Sequence, residues 1–184
     1  MNVDPVAQTA YGREAKVYER VRPSYPPDAI AWLTRELGLR GGVTVVDVGA
    51  GTGKLTRALA ETGARVVAVE PVPEMAARLR EIDVDVVVAA AEALPLSDAS
   101  ADAITVAQAL HWFDLSRALA EFARVLRSDG LLALAWNRPD VQDPLQAGLA
   151  ALLRGRGSRT DPSSSARTSS ESRPRRGSRT FMTR

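Results

Sequence analysis

The spacing of apolar residues changes repeatedly between two periods along the chain. Apolar residues spaced for one helix face predict helices over 28–37, 54–62, 73–82 and 115–126. Short β-branched or apolar runs between them predict strands over 43–48, 65–69, 84–88, 102–106 and 131–136. Because helices and strands alternate, we expect an α/β fold with a doubly wound, mostly parallel sheet of about five strands.

The helical stripes also predict which residues face the core. The expected inward residues are Ile30, Leu33 and Leu37, then Met75, Ala76 and Leu79, and then Leu115, Leu119, Phe122 and Leu126. One more helix is expected before Pro23, with Tyr11, Tyr18 and Arg22 on one face. The long connection before the fourth strand shows no helical pattern beyond its alanine-rich start, and a turn over 128–130 should lead into the last strand.

Composition changes abruptly near Leu153. Residues 154–184 carry nine arginines against two acidic residues and almost no apolar side chains. Such a segment buries too little apolar surface to offset the entropy of ordering it. We therefore predict a folded domain over 1–153, with a cap over 1–40 and a core over 41–153, and a disordered basic tail over 154–184.

Two interpretations of this tail are open. It is either a basic arm for acidic partners, or sequence that does not encode the fold because of truncation or a shifted reading frame; the second is favoured because the apolar pattern stops inside a predicted helix. The rest of the chain holds fifteen basic and twenty acidic side chains, so nucleic-acid binding is expected at most through the tail.

Residue counts exclude several kinds of chemistry. The chain has no cysteine, and His111 is its single histidine, so disulfides, zinc–thiolate sites and paired catalytic histidines are excluded. We expect no metal site. Neither a secretory signal nor an apolar run of membrane-spanning length is evident, so we expect a cytoplasmic protein without membrane contact.

A glycine-rich loop follows the first predicted strand and opens the next helix. It reads Gly49-Ala50-Gly51-Thr52-Gly53, and Glu70 ends the second predicted strand. Glycines allow a tight turn and a close approach of a ligand, and an acidic residue at that strand tip binds ribose hydroxyls in doubly wound folds. Together they indicate a site for an adenosyl-like ligand.

The spacing of the glycines distinguishes this loop from two known kinds of phosphate-binding loop. Dinucleotide-binding enzymes favour Gly-x-Gly-x-x-Gly, and Lys54 stands where their third glycine would be. A P-loop needs Gly-Lys followed by Ser or Thr, whereas Leu55 follows Lys54 here. A nicotinamide-dependent oxidoreductase remains an alternative at this stage.

Five ordered motifs resemble class I S-adenosylmethionine-dependent methyltransferases. They are residues 45–53, the acidic Glu70, the type-11-like segment 91–96, the segment 108–113, and the opening Tyr18-x-x-x-Arg22-Pro23-x-Tyr25-Pro26. The opening is similar to that of the trans-aconitate methyltransferase-like group. The resemblance implies S-adenosylmethionine as cofactor and a small-molecule methyl acceptor. It also implies a carboxyl-terminal antiparallel hairpin, which residues after Leu153 do not supply.

The resemblance carries roles to particular residues. The implied cofactor-binding residues are Asp47, Gly49, Ala50, Gly51, Gly53, Glu70, Pro71, Val72, Ala91, Glu92 and Gln108. Asp47 is expected behind the loop, Glu70 on the ribose, Pro71 and Val72 beside adenine, and Gln108 near the methionine amino group. Many relatives have an aspartate where this chain has Ala90, so backbone groups would read the adenine.

Single residues at the acceptor side have two readings each. Tyr18, Arg22, His111 and Trp112 are weak candidates for the acceptor pocket. Packing is favoured for Tyr18 and a helix-end charge for Arg22, whereas His111 is equally consistent with the pocket and with packing beside Trp112. No catalytic residue is assigned. The predicted function is methyl transfer to an unidentified small molecule, and the alternatives are a cofactor-binding fragment without turnover or the oxidoreductase. Oligomeric state is not indicated.

Overall fold

The computed structural model describes residues 25–136. Its elements follow the predicted order. They are α1 (Pro27–Glu36), β1 (Thr44–Val48), α2 (Lys54–Ala60), β2 (Arg65–Val69), α3 (Pro73–Leu79), β3 (Asp85–Val87), β4 (Ala101–Ala107), a 3₁₀ turn (Leu110–Trp112), α4 (Leu115–Val125) and β5 (Leu126–Ala135). The amino-terminal helix, the tail and the domain boundary at 153 lie outside the described residues.

The described strands form one five-stranded sheet in the order β3-β2-β1-β4-β5. Every described strand pair is parallel. The chain winds from β1 to β3 in one direction and then crosses to β4 on the other side of β1, which confirms the doubly wound fold. Ligands bind in such sheets at the carboxyl ends of the strands where the order reverses, here between β1 and β4.

Two apolar cores cover the two faces of the sheet. Val46 and Val48 of β1 point into a core with Phe122 of α4. Val45 points into the other core, with Leu55 and Leu59 of α2. Successive side chains of a strand alternate between faces, so Asp47 lies on the α2 side. A strand that is buried on both faces is expected to be almost wholly apolar, and Asp47 is the charged residue in the buried part of β1.

The predicted inward faces are confirmed for α1 and α3 and wrong in part for α4. Leu33, Leu37, Met75, Ala76 and Leu79 are buried. Leu115 and Leu119 are instead 48% and 41% exposed, because α4 packs on the sheet through Ala118, Phe122 and Val125. Both stripes have helical spacing and share Phe122, so the buried face of the helix is turned about the helix axis relative to the predicted face.

The last strand begins earlier than the sequence predicted. Leu126 already pairs with Ala101, and regular pairing resumes where Leu131 meets Ala103. The predicted turn over 128–130 falls in the irregular stretch of β5, residues 127–130, where the pairing register shifts. Arg127 of this irregular stretch forms an ion pair with Asp102. The other carboxylate oxygen of Asp102 accepts the Thr44 N–H at 2.8 Å.

Candidate functional site

The glycine loop, residues 49–53, lies at the end of β1 and opens α2. Gly49, Gly51 and Gly53 have φ angles of +70°, +59° and +86°. L-residues rarely adopt these left-handed angles, which cost roughly 1–2 kcal/mol for a residue with a Cβ. The backbone conformation itself therefore explains why glycine stands at all three positions.

The surroundings of the three glycines differ. A Cβ added at Gly49 would lie 2.5 Å from the Ala109 Cβ, and one at Gly53 would lie 2.5 Å from the Ile82 Cδ1. At Gly51 the nearest atom is the Met75 Sδ at 4.0 Å. Gly49 and Gly53 therefore serve close packing within the protein, whereas Gly51 leaves a space that a ligand can approach.

The backbone N–H groups of the loop are largely bonded within the protein. Those of Gly49 and Ala50 donate to the Val69 oxygen at 2.9 and 3.1 Å, and that of Gly53 donates to the Ala50 oxygen. The Gly51 N–H donates to Glu70 Oε2 at 2.8 Å. The loop is therefore hydrogen-bonded to the end of β2 through groups of the protein alone.

Glu70 joins the two elements that the sequence singled out. Its side chain is buried, with Oε2 bonded to the Gly51 N–H and Oε1 accepting the Val72 N–H at 3.0 Å. Burial raises the pKa of Glu70, and these two amide bonds oppose the rise. An ionised carboxylate has roughly four acceptor positions, so acceptor capacity remains for a ligand.

Asp47 is fully buried behind the loop. Its Oδ2 accepts the Thr56 hydroxyl of α2 at 2.6 Å, and its Oδ1 accepts the Thr105 hydroxyl of β4 at 2.8 Å. Burial raises the pKa of Asp47 to about 6, although both hydroxyl bonds lower it. Asp47 thus connects β1 with α2 and β4. Its carboxylate supports the glycine loop indirectly, by holding the elements on either side of it.

Gln108 has two unusual features at the tip of β4. Its φ is +59°, although it is not a glycine, and its N–H donates to the Ala135 oxygen at 2.9 Å. Its side-chain Nε2 is buried and has no hydrogen-bond partner among residues 25–136. Backbone strain and an unsatisfied buried donor both occur preferentially where a ligand completes the structure.

The clamped segment, defined as residues 88–100 between β3 and β4, contains the third motif and forms no helix, even at its alanine-rich start. Ala91 is buried in the same core as Val69 and Ala109. Glu92 is partly exposed, and its Oε1 accepts the Asp114 N–H at 2.8 Å. Val72 is buried and Pro71 half-buried beside Glu70, as a wall next to the crevice would require.

The acceptor-side candidates are only partly described. His111 and Trp112 lie in the 3₁₀ turn after β4, with ring centroids 4.9 Å apart. His111 is exposed and Trp112 is half-buried. Tyr18 and Arg22 lie outside the described residues. The structure brings the eleven predicted cofactor residues to one edge of the sheet, and their contacts with a cofactor stay predictions.

Sequence reasoning missed the partners of these residues. Thr56, Thr105 and Arg124 each hold part of the site in place. Thr105 carried a usable signal, because it is the polar residue within an otherwise apolar inner run of β4. Within residues 25–136 no helix is long and apolar enough to cross a membrane, and no acidic or histidine cluster has the makings of a metal site.

Comparison with protein families gives a match over the same region. The model of a methyltransferase domain family matches residues 46–134, which run from β1 to β5. An uncharacterized methyltransferase of Mycobacterium tuberculosis is 51% identical over 133 residues, covering 71% of this chain and 53% of that protein. A second, from Schizosaccharomyces pombe, is 41% identical over 139 residues, covering 74% and 55%.

A relative with a specific name is more distant. The malonyl-[acyl-carrier protein] O-methyltransferase of Pectobacterium atrosepticum is 33% identical over 150 residues, covering 73% of this chain and 53% of that protein. The chain thus spans about half the length of the curated relatives it matches.

Solved structures agree on the fold. A structure described as a type II methyltransferase from Anaeromyxobacter dehalogenans superimposes with a TM-score of 0.59 at 38% identity, covering 71% of this chain and 59% of that one. A methyltransferase from Aquifex aeolicus superimposes with a TM-score of 0.57 at 23% identity, covering 79% and 87%. At that identity the second likeness shows the fold alone.

Proposed function

Because the chain belongs to the class I S-adenosylmethionine-dependent methyltransferases, we propose that it transfers a methyl group from this cofactor to a small-molecule acceptor. One observation carries the proposal: Gly51 leaves open space beside it, and its N–H is joined to Glu70 at 2.8 Å. The trans-aconitate-like specificity suggested by the amino-terminal motif remains a prediction.

The chain's own residues fit the parts of this cofactor. Gly51 gives the close approach that the methionine arm needs. Glu70 has acceptor positions left for the ribose hydroxyls after serving two amides. Pro71 and Val72 would offer an apolar surface for adenine, and the backbone groups of Ala91 and Glu92 would read its polar edge.

The unpartnered side-chain Nε2 of Gln108 fits a ligand oxygen atom better than a ligand amino group. An N–H donor does not pair with an ammonium group, which has donors only. The unpartnered Nε2 therefore suits a carboxylate or carbonyl oxygen, either of the methionine arm or of the acceptor. The carboxamide oxygen of Gln108 is the atom that would accept the methionine ammonium.

The reaction asks mainly for alignment. The cofactor supplies an activated methyl group on a sulfonium, and the protein supplies binding and orientation. Orientation alone contributes at best about 7–11 kcal/mol to lowering such a barrier. An acceptor that is already anionic needs no base, which agrees with the exposed position of His111.

Calorimetry with S-adenosylhomocysteine tests the cofactor. We expect wild-type protein to bind it, and Gly51→Ala to bind at least about tenfold more weakly because the new Cβ enters the open space. NADH serves as the control ligand and should give no heat. The absence of measurable S-adenosylhomocysteine binding by folded wild-type protein would refute the proposal.

A turnover assay separates an enzyme from a binding fragment. Since the chain spans about half of its curated relatives, binding without transfer is the rival outcome. Methyl-labelled S-adenosylmethionine and a small-molecule extract should give labelled product with this chain. Binding with no label transferred, under conditions in which a full-length relative is active, would favour the fragment. The oxidoreductase alternative is not favoured, because the matched family and the glycine spacing both disagree with it.

A further inference from the structure

Arg124, in the last turn of α4, makes an unusually complete set of hydrogen bonds. Its Nε and Nη2 donate to the two carboxylate oxygens of Glu121, both at 2.8 Å. Its Nη1 donates to the Leu96 oxygen at 2.7 Å, and its Nη2 donates to the Leu94 oxygen at 2.9 Å. Asp98 accepts a further bond from Nη1. One guanidinium therefore connects the helix with three residues of the clamped segment.

Glu121 also binds the backbone of Leu94. Its Oε2 accepts the Leu94 N–H at 2.7 Å, while Arg124 takes the Leu94 carbonyl. The Leu94 side chain is buried in the core that also contains Phe122. Both backbone polar groups and the side chain of this residue are thus fixed by α4.

The same helix holds the segment at other points. At the start of α4, the Asp114 N–H donates to Glu92. At its end, the Ala99 N–H donates to the Arg124 carbonyl oxygen at 2.9 Å. Because the segment forms no helix or strand of its own, its conformation depends on these bonds from α4.

We propose that Arg124, supported by Glu121, is a positioning residue for adenine recognition. It holds Leu94 in place so that the backbone groups of the neighbouring Ala91 and Glu92 face the polar edge of the purine. This inference rests on the proposed function, because that function puts adenine against Ala91 and Glu92. Arginine suits the task because its planar fork serves two carbonyls and a carboxylate together, which a lysine ammonium cannot do in the same geometry.

The test compares two purines. Adenine carries a 6-amino donor, whereas hypoxanthine carries a 6-oxo acceptor and a protonated N1, so a fixed backbone distinguishes them. Calorimetry gives the dissociation constants of S-adenosylhomocysteine and S-inosylhomocysteine for each variant. We expect wild type to prefer adenine, and Arg124→Met to reduce that preference by about fivefold or more. Arg124→Lys should not restore it.

A control variant separates positioning from general stability. Arg78 pairs with Glu81 at 2.9 Å in the same three-residue spacing and with a similarly covered side chain. Arg78 Nη1 donates to Glu81 Oε1, a side-chain oxygen that lies outside the clamped segment. Arg78→Met should leave the adenine preference unchanged. If Arg124→Met is poorly folded, Glu121→Gln is the milder variant and should reduce the preference to a smaller extent.

The outcomes are distinguishable. An unchanged preference in a folded Arg124→Met or Glu121→Gln protein would overturn the inference while leaving the cofactor assignment intact. A full rescue by Arg124→Lys would also overturn it, because charge alone would then suffice. Failure of wild type to bind S-adenosylhomocysteine would instead remove the proposed function itself.

Discussion

The glycine loop and the clamped segment lie at the same edge of the sheet, yet carboxylates in opposite environments hold them. The loop depends on Asp47 and Glu70, whose burial raises both pKa values. The segment depends on Glu121, whose bond to Arg124 lowers its pKa to about 2. One wall of the crevice is therefore built from desolvated groups and the other from charge pairs near the surface.

The two walls respond to pH in opposite directions. A carboxyl whose pKa is raised on folding stabilises the protein at low pH, and this contribution is lost as pH rises through the folded pKa. For Asp47 the window runs from 3.8 to about 6. A carboxylate whose pKa is lowered stabilises at high pH, and for Glu121 this is lost as pH falls from 4.5 toward about 2. Surface pairs are also screened by salt, whereas buried contacts are screened much less.

The largest expected effect is on folding, at Gly49. Gly49→Ala should destabilise the protein by about 2–5 kcal/mol, because a strained φ adds to a steric overlap with Ala109. Gly51→Ala should cost only about 1–2 kcal/mol, since it adds strain without overlap. Urea unfolding of both variants measures the difference. Equal losses would mean that the two glycines do not have separate roles.

The next effect is a change in pH dependence. Wild-type stability should fall by up to about 3 kcal/mol between about pH 4 and pH 7 through Asp47 alone. Asp47→Asn has no such titration, so its stability should change less over that range. Urea unfolding at several pH values gives both slopes. Parallel slopes would show that Asp47 is ionised as easily in the folded protein as in the unfolded chain.

The third effect is on ligand affinity, and it tests whether the Glu70 carboxylate beside the glycine loop binds the cofactor. Glu70→Gln should weaken S-adenosylhomocysteine by about 10- to 100-fold, because hydrogen bonds to a charged group contribute roughly 1.5–3 kcal/mol. Its amide NH₂ also faces a backbone donor. Glu74→Gln, in the exposed first turn of α3, is the control and should bind normally. Normal binding by both variants would exclude Glu70 from the ribose site.

Of the two walls, only the clamped segment should respond to salt. Raising NaCl from about 0.05 M to about 0.5 M shortens the Debye length several-fold and weakens the Arg124–Glu121 pair. Hydrogen exchange of the Leu94 amide should then speed up by several-fold, while that of the Gly51 amide stays constant. A salt-dependent Gly51 amide would contradict the contrast between the two walls.

The smallest effect concerns Ala99, the other non-glycine residue with a positive φ, 49°, among the described residues. Ala99→Gly should stabilise the protein by about 0.5–1 kcal/mol, because relief of strain exceeds the added entropy of glycine. Cofactor binding should not change, since Ala99 lies in the exposed part of the clamped segment. A lower melting temperature would indicate that the strain estimate is wrong.

The sequence predicted the meeting of the loop and Glu70 because topology alone places them there. Parallel strands β1 and β2 end at the same edge, so residues that follow them become neighbours whatever their side chains. The Asp47 partners were not predictable in this way. Thr105 reaches Asp47 only because β4 pairs with β1 in the register that sets these two residues opposite each other.

The errors have similar physical origins. Two helical stripes on α4 fit the same period, and only contact with the sheet selects Ala118 and Val125 over Leu115 and Leu119. Arg124 was not singled out from the sequence, because two of its partners are backbone carbonyls of an irregular segment. Local patterns contain no information about such partners.

The contact between Gly49 and Ala109 has a consequence for engineering this fold. A larger side chain at 109 would meet the loop, so that position has almost no freedom, while its neighbour Gln108 is restricted by its positive φ. A library of variants at this edge of the sheet would therefore vary position 108 with glycine, asparagine or aspartate and keep alanine at 109. The two adjacent codons thus differ sharply in mutational tolerance.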